Sequence, residues 1–300
     1  LEPDTPIWIA SVTKLYIAST ILKLSEEGLV DIEAPMSAYL PEDLIQGIHH
    51  TPDGIDHTNE ITVINLLSHS SGLPDFLEEK PQGEEGLLDE VFDGKDKSFS
   101  TEEVMSLVRN HLPAYFPPQP RDRGKKKIRY SDTNYQLLIE IIETITGQSL
   151  HEVFSQLIYQ PLGLESTFHP GTRSDQITDE AAIVWSGDKP LNIPNAMRSF
   201  RDLGATVGDM NQFMRSLIQD KFFKNPETWQ LMQEDFNTFG FSLNPMPTSP
   251  TWPIEYGLGL MRFKMPGFFT LLNPIPPVVG HTGVSGSWLF FCPELDLIFS

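Results

Sequence analysis

The sequence predicts a mixed fold of the α/β (α+β) class, and three observations support this. Apolar residues recur at helical spacing in several segments as far as Ile218. Two short apolar runs near the carboxyl end are typical of strands joined by a turn. No internal repeat is present, and 300 residues with a hydrophobic share of 39% suit one large domain.

The elements follow from the chain in order. The first helix is predicted over Leu15–Leu24, and Gly28 is the residue expected to end it. Later helices are predicted from apolar spacing at Ile61–Leu67, from Thr101 to Val108, at Asn134–Ile145 and at Met210–Ile218. Strands are predicted at Trp288–Cys292 and Leu297–Phe299, with Pro293–Asp296 as the turn. The polar stretch His49–Glu60 is predicted to be a surface loop. The acidic stretch Phe76–Ser100 is predicted to be a long excursion rather than a second domain.

Charge excludes one class of function. The formal net charge is -20 and the isoelectric point is about 4.7. Binding to a phosphate backbone requires a basic surface, so nucleic acid is not an expected partner. No apolar run approaches the length of a membrane span. Cys292 is the single cysteine, which excludes an internal disulfide and a cysteine-based metal cage.

The first candidate motif is Ser11-Val12-Thr13-Lys14, at the start of the first predicted helix. Residues three apart on a helix share a face, so the lysine amine can reach the serine hydroxyl. A serine needs such a neighbouring base to act as a nucleophile. Spacing alone is weak evidence, because Ser186-Gly187-Asp188-Lys189 repeats it in a polar stretch that precedes no amphipathic helix.

Two further motifs contain groups suited to acyl transfer. Tyr130-Ser131-Asp132 precedes the helix from Asn134, and a phenol near cations can have its pKa lowered enough to exchange protons. The alternative is that Tyr130 ends a strand and Asp132 caps the helix. Gly280-His281-Thr282-Gly283 has glycines that permit close backbone approach, and an edge strand there would supply N–H donors to an oxyanion.

In this order the three motifs resemble those of the serine β-lactamase and penicillin-binding-protein family, and more closely its branch of class C β-lactamases, D-aminopeptidases and esterases. Four other stretches match the same family, and the resemblance covers nearly the whole chain. They are Leu66–Leu73, Pro161–Leu164, Gly204–Met210 and Tyr256–Gly259.

The resemblance implies a role for each motif residue. Ser11 is the expected nucleophile, Lys14 its proton partner, and Tyr130 the general base that passes a proton to the leaving group. The Ser11 N–H and an N–H in the strand after Gly283 are the expected oxyanion hole. The residues expected at the substrate are Asp132, His281, Thr282, Gly283 and Ser285. No cofactor is expected, and the substrate is expected to be a small molecule or peptide with an ester, amide or β-lactam bond.

Two positions depart from the pattern of that branch. Asp132 stands where the branch has Asn, which exchanges an amide donor for a carboxylate. A shifted register, with Ser131-Asp132-Thr133 as the second motif, is the alternative. His281 stands in place of Lys and is expected to be only partly charged near neutral pH. We therefore expect weaker affinity for carboxylated substrates, which favours ester or amide hydrolysis over destruction of antibiotics.

The resemblance also implies an architecture. It implies a central antiparallel sheet flanked by helices, with a sheet lobe formed by about 1–30 and 254–300 and a mostly helical lobe formed by about 31–253. Family members have strands before the serine motif and a helix after the last hairpin, so this chain is expected to be trimmed at both ends. Location outside the cytoplasm, secreted or periplasmic, is expected from the family alone.

Three other hypotheses remain at this point. One is a penicillin-binding sensor or non-catalytic relative, which the changes at Asp132 and His281 would favour. Another is a metal site in the loop that contains His49, His50, Asp53 and His57, although such loops often bind nothing. His69, between Ser68 and Ser70, suggests a Ser-His pair, but the sequence shows no acid partner and a turn-stabilising histidine is the simpler interpretation.

Overall fold

Helices fill the middle of the chain, as the sequence predicts. The computed structural model describes residues 2–300 except 82, 123, 173–180, 241–249, 266, 269 and 271–274. Its helices are α1 Thr13–Glu26, α2 Glu42–Ile45, α3 Val63–Leu67, α4 Leu87–Phe92, α5 Thr101–His111, α6 Asp132–Thr146, α7 Leu150–Phe154, α8 Gln160–Leu162, α9 Pro194–Phe200, α10 Val207–Ile218 and α11 Pro226–Glu234. A π-helical turn over Ser155–Tyr159 joins α7 to α8.

The strands are short and most of them lie in the last quarter of the chain. They are β1 Ile7–Trp8, β2 Val184–Ser186, β3 Lys189–Leu191, β4 Gly204–Ala205, β5 Asn237–Thr238, β6 Ile254–Tyr256, β7 Met261–Phe263, β8 Val278–Thr282, β9 Trp288–Cys292 and β10 Leu297–Phe299. The predicted helices and the terminal hairpin are confirmed, with ends that differ by a few residues.

One antiparallel sheet of six strands has the order β10-β9-β8-β7-β6-β5. A separate pairing joins β1 to β4, with Trp8 opposite Gly204. The hairpin β2–β3 stands alone and brings Ser186 opposite Lys189. The predicted fold class, a mixed α/β protein with an antiparallel sheet flanked by helices, is confirmed.

Local signals in the sequence explain where the main helices begin and end. Ser100 and Glu103 form a capping box at the start of α5, in which each side chain accepts a hydrogen bond from the other residue's backbone. The helix α6 ends at Gly147, whose φ of 64° is left-handed and suits glycine. In α1, side chains are buried on nearly every face, so this helix is a core element rather than an amphipathic surface helix.

The lobe boundary differs from the prediction in one region. Segment 204–238 was assigned to the helical lobe, but β5 is the edge strand of the six-stranded sheet and α10 packs against β9 and β10. On the other side, α1 packs against α6. Within the described residues, no helix has the length and apolar character needed to cross a membrane.

Candidate active site

The chain makes a tight turn directly before Ser11. Ala10 has a φ of 45°, a left-handed conformation that costs a non-glycine residue about 1–2 kcal/mol. Ala10–Val12 forms a short 3-10 turn that leads into α1. The pairing of β1 with β4 and the bond from the Ile9 N–H to the Leu203 carbonyl hold this turn from one side.

The three predicted motifs meet at this turn. Lys14 Nζ donates to Ser11 Oγ over 2.9 Å, and its distance to Asp132 Oδ1 is 2.5 Å. The same Nζ lies 5.1 Å from the centroid of the Tyr130 ring. From the third motif, Gly283 packs against the backbone at Ile9 so closely that a Cβ on Gly283 would collide with the Ile9 carbonyl.

Lys14 is an ammonium group in this arrangement. Its side chain is only 4% exposed, and burial by itself would lower the pKa. The carboxylate of Asp132, with smaller contributions from Tyr130 and Asp202, outweighs burial and raises the pKa of Lys14 well above its usual value. Asp132 therefore keeps Lys14 in its charged form at rest.

Tyr130 is a neutral phenol at rest. Burial raises its pKa above the usual value of a tyrosine, and the nearby Lys14 charge offsets this only in part. The sequence argument expected a lowered pKa from neighbouring cations, and that expectation is wrong. The reason is burial of the phenol, which outweighs the Lys14 charge, and the Asp132 carboxylate adds to it.

His281 is buried completely and does not point toward open space. Its Nε2 lies 3.2 Å from the Tyr256 hydroxyl and its Nδ1 lies 2.7 Å from the carbonyl oxygen of Thr282. Burial, and then the Lys14 charge, lower the pKa of His281 to about 3. The expectation of a partly charged histidine at neutral pH is therefore wrong. The side chain of His281 instead contacts Tyr256 of β6 in the same sheet.

The strand with the third motif also differs from the expected geometry. β8 pairs with β7 and with β9, so it is an interior strand, and only His281 and Thr282 extend past its register with β7. The chain does not continue as a strand after Gly283, because the Gly283 N–H donates to the Ser287 carbonyl and closes a tight turn. Ser285 Oγ donates to Ser287 Oγ within this turn, and Thr282 Oγ1 contacts Met261 Sδ.

The structure favours the original register of the second motif over the shifted one. Ser131 Oγ and Thr133 Oγ1 both donate to the carbonyl of Pro74 and are buried, so neither is directed to Ser11. The Asp132 carboxylate binds Lys14 rather than capping α6. His69 accepts hydrogen bonds from the Ser131 N–H and from Asn134 Nδ2, which fixes the loop before α6 as the turn-stabilising interpretation expects.

Side chains of the histidine-rich loop bond to other groups of the protein. His49 Nε2 bonds the Ser71 carbonyl, His57 Nδ1 lies 2.9 Å from Glu60, and Thr51 donates to Asp53. Among the described residues, no group of three or more histidine, cysteine or acidic side chains could hold a metal ion.

Two acidic residues of the site were missed in the sequence analysis. Asp202 lies two residues before the start of β4, which pairs with the strand that leads to Ser11. Burial raises the pKa of Asp202 to about 7. Asp75 is buried, and its Oδ1 accepts from the Asp132 N–H over 3.3 Å. Burial, and then the Asp132 charge, raise the pKa of Asp75 well above its usual value. Asp202 belongs to no motif, and its neighbour Arg201 is also charged, so the sequence has no signal that would single it out.

Known proteins resemble this chain over its whole length. The family model described as Beta-lactamase matches residues 1–300. A Salmonella typhimurium protein provisionally named a D-alanyl-D-alanine carboxypeptidase is 33% identical over 93% of this chain and 64% of its own length. The D-alanyl-D-alanine-carboxypeptidase/endopeptidase AmpH of Escherichia coli is 24% identical over 77% of this chain and 53% of its own. The chain thus spans less than two thirds of these relatives.

Solved structures show the same fold. A D-stereospecific amidohydrolase from Streptomyces has a TM-score of 0.71 at 22% identity and matches 98% of this chain and 81% of its own. EstCE1, a hydrolase with promiscuous acyltransferase activity, has a TM-score of 0.75 at 20% identity, with 99% and 79% covered. With the family model matched from end to end, this chain belongs to the β-lactamase family of serine hydrolases, which includes the penicillin-binding-protein-like enzymes.

Proposed function

We propose that this protein is a serine hydrolase that forms an acyl-enzyme on Ser11. The observation that carries the proposal is the position of Lys14 Nζ, which is 2.9 Å from Ser11 Oγ and 2.5 Å from Asp132 Oδ1, beside the Tyr130 ring. A nucleophile, a proton acceptor and a second proton carrier within one cluster are the requirements for acyl transfer through a serine.

The first step is acylation of Ser11, and it begins with a proton transfer inside the cluster. The proton between Lys14 and Asp132 moves to the carboxylate, which leaves a neutral amine next to Ser11. Ser11 Oγ attacks the substrate carbonyl and its proton passes to Lys14. The Tyr130 hydroxyl donates its proton to the leaving group as the acyl bond breaks, and Lys14 returns a proton to Tyr130. In the second step water attacks the acyl carbonyl, its proton passes through Lys14 to Ser11 Oγ, and the acid is released.

The Ser11 N–H is at a helix start, where backbone donors lack partners inside the helix. It is the first donor we assign to the oxyanion, and the second is an N–H of the turn that follows Gly283. Val284 in that turn shares a cavity with Ser11. The second donor is therefore an N–H of a turn, whereas the sequence analysis expected an N–H of a strand after Gly283.

The bond that is cleaved is an ester, an amide or a β-lactam. His281 supplies no positive charge for a substrate carboxylate, because it is buried and neutral. We therefore keep the inference that simple esters and amides are better substrates than penicillins or cephalosporins. Equal turnover of a penicillin and a simple ester would contradict this preference.

One observation favours a second candidate, a protein that is acylated without turnover. The ion pair with Asp132 favours Lys14 as an ammonium, so the neutral amine that activates Ser11 has to form a second time before water can release the acyl group. A site in which it forms only once stops at the acyl-enzyme. A sensor of this kind would retain the acyl group on Ser11.

The test is intact-mass spectrometry after exposure to a fluorophosphonate and, separately, to a penicillin. We expect a single fluorophosphonate adduct on the wild-type protein, no adduct on Ser11→Ala, and a normal adduct on Ser186→Ala, the serine of the second Ser-x-x-Lys stretch. An adduct that persists in a folded Ser11→Ala protein would overturn the assignment. A penicillin adduct that does not decay would favour the sensor over the hydrolase.

A further inference from the structure

His69 binds the loop that carries Tyr130 on both sides of the tyrosine. The Arg129 N–H donates to the His69 carbonyl over 2.9 Å, and the Ser131 N–H donates to His69 Nδ1 over 3.2 Å. Arg129 and Ser131 are the chain neighbours of Tyr130. Two hydrogen bonds to one residue therefore fix the backbone from which the Tyr130 side chain projects, although His69 and Ser131 are 62 positions apart in the sequence.

The ring of His69 also packs against the ring of Tyr130. Their centroids are 4.4 Å apart, and their planes are tilted by 38°. The rings of Tyr256 and Tyr135 contact the same imidazole, with centroids at 4.6 and 5.2 Å. Close packing leaves a ring little freedom to turn, so the contact restricts where the Tyr130 hydroxyl lies.

The hydrogen bonds define which nitrogen of His69 carries the proton. Nδ1 accepts from the Ser131 N–H and from Asn134 Nδ2, so the proton of the neutral ring is on Nε2. The Asn134 amide has this orientation because its Oδ1 accepts from the Ser71 hydroxyl over 2.6 Å. Nε2 is buried and has no hydrogen-bond partner among the described residues.

His69 acts on the reaction only through other residues. Its side chain is fully buried. Burial, and then the Lys14 charge, lower the pKa of His69 well below its usual value. The ring is therefore neutral, and its one acceptor nitrogen is already occupied. A ring in this state neither touches the substrate nor exchanges a proton with it.

The backbone turn does not by itself require an imidazole at position 69. His69 has a φ of 54°, a left-handed conformation that glycine and asparagine adopt with the least strain. Asparagine also has a side-chain acceptor where histidine has Nδ1. What the imidazole adds is therefore the contact of its ring with the Tyr130 ring.

The Tyr130 hydroxyl matters most for substrates with a poor leaving group. In the mechanism above it donates the proton that the leaving group takes up. p-Nitrophenolate is a stable anion and departs without that proton, whereas an alkoxide or an amine needs it as the bond breaks. A displaced Tyr130 would therefore slow the cleavage of alkyl esters and amides and leave activated esters almost unaffected.

We propose that His69 is a positioning residue that holds Tyr130 where it protonates alkoxide and amine leaving groups. The inference rests on the proposed acyl-enzyme chemistry at Ser11 and on the role of Tyr130 in it. Its consequence is a specificity, because the cleavage of alkyl esters and amides depends on His69 and the cleavage of activated esters does not.

The test compares two esters with the same acyl group, ethyl propionate and p-nitrophenyl propionate. The measured quantity is the kcat/KM of the ethyl ester divided by that of the p-nitrophenyl ester at pH 7. We expect His69→Asn to lower this ratio about tenfold or more, because a misplaced general acid loses much of its effect. Partial unfolding lowers both values equally and cancels in the ratio. If His69→Asn does not fold, His69→Gly, which also fits the left-handed backbone and has no ring, is measured with the same expectation.

His49→Asn is the matched control. His49 is also fully buried, and its Nε2 bonds the carbonyl of Ser71, only two residues from His69. This variant removes a buried imidazole from the same region without touching Tyr130, and it should leave the ratio unchanged.

A double variant shows whether His69 acts through Tyr130. Tyr130→Phe removes the proton donor and should lower the ratio at least as far as His69→Asn does. Adding His69→Asn should then lower it no further, because the group that His69 positions is gone.

Three results would overturn the positioning role: an unchanged ratio in His69→Asn, an equal loss in His49→Asn, or a further loss in the double variant. A wild-type ratio in Tyr130→Phe would instead overturn the proton donor of the proposed function. Hydrolysis of both esters by Ser11→Ala at the wild-type rate would overturn the acyl-enzyme itself.

Discussion

Two stretches of this chain have the same Ser-x-x-Lys spacing and different structures. Ser11 and Lys14 lie across a 3-10 turn and the first turn of α1, with 2.9 Å between Oγ and Nζ in a buried cluster. Ser186 and Lys189 face each other at the end of the β2–β3 hairpin, where Lys189 is exposed to solvent. The comparison shows that the chemistry depends on burial and on the groups brought by Tyr130 and Asp132, because the spacing is the same in both.

The largest expected difference between the two stretches is the loss of activity when the serine is replaced. Replacing Ser11 by Ala should lower kcat/KM for p-nitrophenyl propionate at least a thousandfold, because the covalent intermediate cannot form. Replacing Ser186 by Ala should leave it within twofold. Steady-state kinetics on both variants checks this, and a Ser186→Ala protein that also loses activity would remove the distinction.

The two lysines should differ in both activity and stability. Lys14→Met removes the proton acceptor and should lower kcat/KM about a hundredfold or more. It also leaves the Asp132 carboxylate, which is 19% exposed, without its cation, at a cost of about 2–4 kcal/mol in the free energy of unfolding. Lys189→Met should change neither quantity.

The control for that stability loss is the double variant Lys14→Met with Asp132→Asn. Removing both charges should recover most of the lost stability without recovering activity. Denaturant unfolding at pH 7 gives the free energies. If the double variant is as unstable as the single one, the ion pair is not the cause.

Asp132 alone should change the pH dependence of the reaction. Its carboxylate raises the pKa of Lys14, so Asp132→Asn lowers that pKa. In the proposed mechanism, however, Asp132 takes up the Lys14 proton, and without this carboxylate the amine becomes a base only above the pKa of Lys14 itself. The acid limb of the profile of kcat/KM should therefore move to higher pH. Asp188→Asn, in the second stretch, should not move it. A shift to lower pH would show that Asp132 is not the acceptor of the Lys14 proton.

The smallest effect is expected from Asp202 and concerns stability. Burial raises its pKa to about 7 from 3.8, so the folded protein holds a proton that the unfolded chain releases between those values. Stability from this group therefore falls as the pH rises through that range. Asp202→Asn should stabilise the protein at pH 8 by about 1–3 kcal/mol and by little at pH 4. Thermal unfolding at both pH values checks this, with Asp188→Asn as the unchanged reference.

The sequence predicted those parts of the fold that have a strong local pattern. The helices α1 and α6 and the hairpin β9–β10 have long periodic runs and turn residues, and they were located correctly. The strands β1, β4 and β5 were missed because each has two residues, which is too short for any periodicity. Their pairing depends on distant parts of the chain, and for the same reason segment 204–238 was placed in the wrong lobe.

In the candidate site, residue types were easier to predict than their surroundings. The family resemblance predicted that four residues share one site, namely Ser11, Lys14, Tyr130 and Asp132. The distances from Lys14 Nζ to the other three are consistent with this prediction. It did not predict that His281 is enclosed by Tyr256, since burial of a side chain depends on packing that no motif records. Asp202 belongs to no motif and was found only from its position beside the nucleophile turn.

The burial of α1 on all sides has a consequence for its motion. Residues Thr13 to Leu22 are at most 3% exposed, and the Tyr16 ring stacks on Phe213 of α10 with 3.7 Å between centroids. The backbone amides of such a helix exchange their hydrogens with solvent only when the whole domain opens. Amide exchange in α1 should therefore report global stability, while α4, at the wall of the cavity that Ser11 lines, exchanges through smaller openings.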